Sequence, residues 1–72
     1  MELLIFQTDI KLKNKVKSIE PILNSHSNIL KWTIDLEDID NVLRIEATKN
    51  LMEEEVIDLL KVQGFSIQTL PD

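Results

Sequence analysis

The sequence predicts an α+β domain in the order βαββαβ, with two helices packed on one face of a four-stranded antiparallel sheet. Three observations point there. The chain opens on a short apolar run without alternation, Leu3-Leu4-Ile5-Phe6. Two stretches place apolar residues three and four positions apart, the spacing of one helix face. Between those stretches lie two runs that alternate apolar and polar, close enough in sequence to form a hairpin.

The first element, Glu2 to Thr8, is a strand with both faces apolar, as a central strand requires. Residues Lys13 to Asn24 form the first helix, with Val16, Ile19, Ile22 and Leu23 on its inner face. Pro21 lies inside that pattern and predicts a kink or break, because proline removes a donor and crowds the preceding turn. Asn24 to Asn28 is a loop by composition. The alternation from Ile29 to Leu36 places Leu30, Trp32, Ile34 and Leu36 inward and Ile29, Lys31, Thr33 and Asp35 outward. An acidic turn, Glu37 to Asn41, leads into the third strand, Val42 to Ala47, with Leu43, Ile45 and Ala47 inward. The hairpin loop is expected to hold about four or five residues.

Asn50 has the chemistry of a helix cap, with Glu53 three residues later as a capping box needs. Glu53, Glu54 and Glu55 suit the positive end of the second helix, whose buried stripe is Val56, Leu59, Leu60 and Ile57. Gly64, the only glycine, stands where a left-handed helix stop belongs. Phe65 to Leu70 is the last strand, ended by Pro71. Right-handed crossovers through these elements give the split βαβ, or ferredoxin-like, arrangement with spatial order 4-1-3-2.

Composition bounds the chemistry. The 72 residues make a single domain, 1–72, and 4% aromatic content leaves the core to aliphatic packing. Without cysteine the chain has no disulfide, thiolate ligand or thiol nucleophile. The net charge of −5 argues against general binding to nucleic acid, whose affinity comes from neutralised phosphates. No apolar run approaches the ~20 residues that cross a bilayer, and no cationic segment precedes an apolar one, so a cytoplasmic location is expected. One histidine, His26, makes neither a zinc site nor a triad, and no carboxylate pair is set up for acid–base work. No catalytic residue, metal ligand or cofactor is implied, and the chain reads as a non-enzyme.

In length, element order, the Val16-Lys17-Ser18-Ile19 segment and the Gln63-Gly64-Phe65 ending, the chain resembles the heavy-metal-associated domain of copper chaperones and metal-pumping ATPases. The family's metal site looks like Met-x-Cys-x-x-Cys. The matching stretch puts Ile10 in the methionine place and Leu12 and Lys15 in the two cysteine places. None can hold soft monovalent copper, which needs thiolate or thioether donors. The resemblance therefore implies the fold without the family's metal chemistry.

Two surfaces are candidates for function. Lys11, Lys13, Lys15 and Lys17 form a basic series at the first strand-to-helix loop, suited to docking an acidic partner. The acidic turn, with Glu37, Asp38 and Asp40, should lie at the same end and partly neutralise it, and Lys61 should lie there too. The open sheet face should carry Leu3, Ile5 and Val42 beside Arg44, an apolar patch with a charged rim suited to a protein partner or to self-association. The chain thus reads as a small interaction domain that binds another protein. The alternative is a small ion or ligand carrier with a non-thiol site at the loop 9–15 end.

Overall fold

The computed structural model describes residues 2–70, and Pro71, the expected end of the last strand, lies outside them. The elements are β1 (Glu2–Thr8), α1 (Lys13–Asn24), β2 (Ile29–Ile34), β3 (Leu43–Ala47), α2 (Glu53–Val62) and β4 (Ile67–Thr69). All strand pairs are antiparallel and the sheet order is β2-β3-β1-β4, the arrangement expected from the crossovers. β1 and β3 are central, which accounts for the apolar content on both faces of β1.

The core is aliphatic except for Phe6. Phe6, Leu43, Ile45, Ala47 and Ile67 from the sheet meet Ile19 and Leu23 of α1 and Val56 and Leu60 of α2. Ile10 and Leu51, both from connections, complete it. Trp32 packs against the edge of this cluster, and its indole N–H donates to Asn24 Oδ1 at the end of α1 (2.7 Å).

Gly64 stops α2 as expected. At φ 92° it occupies the left-handed region, its N–H bonds the Lys61 carbonyl, and the Phe65 N–H reaches back to the Leu60 carbonyl. Those two bonds are the Schellman motif. β4 is shorter than expected, with Phe65 belonging to the turn and packing partly on the core.

Five expectations are corrected. β2 carries a register shift between Ile29 and Lys31: Ile29 pairs with Ala47 and Lys31 with Glu46, leaving Leu30 as the extra residue. A bulge of this kind reverses the alternation locally. Ile29 therefore packs on the core, and Leu30 is 57% exposed. α1 runs unbroken through Pro21. The carbonyl that proline orphans belongs to Lys17, which like Pro21 is exposed, so water can satisfy it. Ser25 closes the last turn by bonding the Pro21 carbonyl through both its N–H and its hydroxyl.

Asn50 caps nothing. Its N–H bonds Thr48 Oγ1 in a turn that buries Leu51, and α2 starts only at Glu53, behind Met52 and without a side-chain cap. The β2–β3 connection spans 35–42, longer than expected, and turns through Asn41 at φ 45°. Val42 consequently precedes β3 and is buried, because the connection folds in there: the Val42 carbonyl accepts the Asp35 N–H and the Asn41 carbonyl accepts the Thr8 hydroxyl.

The bulge has a measurable consequence. Ile29→Ala should lower unfolding free energy by about 1–3 kcal/mol, whereas Leu30→Ala should stay within about 0.5 kcal/mol of the parent, both read from urea melts. The reverse ranking would restore the unbulged register.

Candidate docking surface at the lysine-bearing end

Three connections converge beyond the end of β1. The Thr8 N–H bonds the Asp40 carbonyl (3.1 Å), and the Thr8 hydroxyl donates to the Asn41 carbonyl (2.7 Å) while accepting the Ile10 N–H (3.2 Å). Asp9 exchanges two bonds with Ser66: its N–H to the Ser66 carbonyl (3.2 Å), and its Oδ1 accepting the Ser66 N–H (3.0 Å). The β1–α1, β2–β3 and α2–β4 connections are thereby tied together. Ile10 has no exposed surface and plugs the core beneath them.

From Ile10 the chain turns outward. Lys11, Leu12, Lys13, Asn14 and Lys15 are all exposed, Leu12 by 59%. Leu12 occupies the N-cap position of α1 without any side-chain cap, and its carbonyl accepts the N–H of both Lys15 and Val16. The first turn of α1 contains no acidic residue, so the helix's positive end and its lysines reinforce one another.

The four lysines do not form one patch. Lys11 and Lys15 border a shallow groove of about 610 Å³ whose far wall is Gln63, Gly64 and Phe65. Lys13 and Lys17, one helical turn apart, border a second depression beside Glu20, Ile34 and Leu36.

The expected neutralisation by the acidic turn is absent at contact distance. No lysine or arginine comes within 4 Å of a carboxylate among the described residues, and the one contact of a basic ring with a carboxylate is His26 Nε2 to Glu55 Oε2 at 3.3 Å, at the opposite end. The acidic side chains instead build their own turn. Asp35 Oδ1 accepts the N–H groups of Glu37 and Asp38, Asp38 Oδ1 accepts that of Asp40, and Asp40 Oδ1 accepts Gln7 Nε2.

On the open sheet face, Leu3 is 53% exposed, Ile5 is half-buried and Arg44 is exposed. Cross-strand register sets Leu3 opposite Glu46 and Ile5 opposite Arg44. Val42 is withdrawn from that surface by its burial. Leu12, which the sequence places only at a cysteine position of the family's metal site, is the surface residue not expected among the docking candidates. The one signal was an apolar side chain flanked by Lys11 and Lys13.

No family model matches the chain, and no curated protein matches it. Solved structures do. The solution structure of the yeast copper transporter domain Ccc2a, studied in apo and Cu(I)-loaded states, superposes with a TM-score of 0.84. A chain of the Atx1–Cu(I)–Ccc2a complex gives 0.85. Each is 15% identical, and the match covers 100% of this chain and 99% of the other. The chain has the fold of a copper transporter domain. That fold is the ferredoxin-like βαββαβ plait expected from the resemblance to heavy-metal-associated domains.

The residues here do not fit copper. Ile10 is committed to the core, Leu12 is an alkyl group, and Lys15 brings a cation to the position. No group of three His, Cys, Asp or Glu among the described residues could hold a metal ion. No helix among them is long and apolar enough to cross a membrane.

A direct check follows. Excess Cu(I) under reducing conditions should leave Tm unchanged within about 1 °C, since only a ligand bound by the native state raises it. A rise of several degrees would contradict this reading of the loop.

Proposed function

We propose that the chain is a non-enzymatic protein-binding domain that docks an acidic partner through Leu12 and the lysines around it. The observation that carries the proposal is an exposed leucine at the uncapped start of α1, bordered by lysines that form no ion pair among the described residues. An apolar tip inside a charged rim is how protein interfaces are built: the centre contributes affinity on desolvation, and the rim selects and steers. The partner should therefore present carboxylates around a small apolar pocket. The Atx1–Cu(I)–Ccc2a complex supports the reading as a case of this fold engaged with another protein.

The alternative, a small-ion or ligand carrier at the loop 9–15 end, has less in its favour. The groove is shallow, and no buried side-chain nitrogen or oxygen among the described residues lacks a hydrogen-bond partner. A small-ligand site usually converges a few polar groups on an enclosed space. Nothing in the arrangement supplies a nucleophile and base, so catalysis has no support.

The test is an NMR titration of the labelled protein with an Asp/Glu-rich peptide bearing one leucine-sized anchor. Amide shifts should concentrate at Lys11–Lys17 and Gln63–Phe65, and affinity should fall as salt rises. The double change Lys11→Glu, Lys15→Glu should weaken binding by about tenfold or more, on the basis of rim-charge effects on association. Shifts confined to other surfaces, or binding indifferent to salt and to both substitutions, would remove the proposal.

A further inference from the structure

The open side of the sheet carries a second and independent surface, and its residues are arranged in register with themselves. Arg44 and Glu46 alternate with the buried Leu43, Ile45 and Ala47, so both face away from the helices. Pairing extends each into a row. One row is Lys31, Glu46 and Leu3; the next is Thr33, Arg44 and Ile5. None of these charged groups forms an ion pair among the described residues.

We infer that this face is a self-association surface whose occupant is a second copy of the chain. Consider a two-fold axis lying in the interface, perpendicular to β3 and midway between the two rows. It sets Arg44 of one copy opposite Glu46 of the other, twice, and Leu3 opposite Ile5, twice. Lys31 then meets Thr33, so no like charges are opposed. Residues two apart on a strand are separated by ~7 Å and facing sheets by ~10 Å, distances that arginine and glutamate side chains span together. Sheets packed face to face in this way keep their strands within about 30° of alignment, which preserves the central contacts. An isologous interface requires this kind of self-complementarity.

Charge and size agree with that occupant. The chain carries −5 overall, yet on this face Lys31 and Arg44 balance Glu46 and, at the edge of the groove beside Leu3, Glu2, so a second acidic molecule is not repelled there. The body measures 29 × 26 × 18 Å, and its broad side is of the order of the ~800 Å² per partner that a standard interface covers. A groove of about 450 Å³ beside Leu3 and Trp32 gives the second copy's side chains space to enter.

Sedimentation velocity over a range of concentrations tests this. The parent should show a monomer–dimer equilibrium. Arg44→Glu alone opposes two glutamates and Glu46→Arg alone opposes two arginines, so each should weaken the dimer by about tenfold or more. The double variant R44E/E46R should regain it. An equimolar mixture of the two single variants should also regain it, as a heterodimer, since each then supplies the charge the other lacks. Dilution of the labelled parent should move the amides of Leu3, Ile5, Arg44 and Glu46, a readout that needs no variant. A parent that stays monomeric, a dimer indifferent to both charge reversals, or single variants that fail to associate on mixing would each overturn the inference.

Discussion

Burial of Ile10 is the constraint on which the rest of this molecule depends. It is the one residue of the β1–α1 connection with no exposed surface, and it fills the core where the sheet and helices open toward that end. Once Ile10 points inward, and the Thr8 and Asp9 hydrogen bonds hold the flanking backbone, the next residues have nowhere to go but out. Leu12 and its lysines are exposed because Ile10 is not. In a chain of this size each well-buried aliphatic side chain is a large share of a small net stability.

The same arrangement separates scaffold from chemistry. The solved structures with this fold include a copper transporter domain in its Cu(I)-loaded state, at an identity that carries the fold alone. Nothing in the plait itself demands a metal. The core is closed by Phe6, Ile10, Leu43, Ile45 and the helix residues facing them, and the loop beyond Ile10 is free to carry any surface chemistry. Here that loop carries cations and a leucine. A bound copper ion would have to compete with the Lys15 ammonium, and no sulfur is present there to favour it.

Much of the fold was legible in the sequence because its signals were local and consistent. The doubly apolar Leu3–Phe6 run marked a central strand, and Gly64 stood where only a residue tolerant of positive φ is comfortable. The misses share a cause: each was settled by tertiary contacts that a periodic pattern does not encode. Alternation through Ile29–Leu36 is blind to one inserted residue, so the bulge at Leu30 could not be seen. Asn50 had the right chemistry for a cap, but burial of Leu51 moved the helix start to Glu53. Val42 matched the outward parity of β3, yet the connection before it folds in and covers it. At the candidate site the lysines were legible as a cluster, but their division into Lys11 with Lys15 and Lys13 with Lys17 emerges only once α1 is placed against β2 and the α2–β4 turn.

The opposed roles of Ile10 and Leu12 are open to one comparison. Urea unfolding of Ile10→Ala and Leu12→Ala measures how much each side chain contributes to the folded state. Ile10→Ala is expected to lose about 2–5 kcal/mol, the cost of emptying a closed aliphatic site, while Leu12→Ala is expected to stay within about 0.5 kcal/mol of the parent. Equal losses at the two positions, or a larger loss at Leu12, would mean that Leu12 belongs to the core and is not held out for a partner.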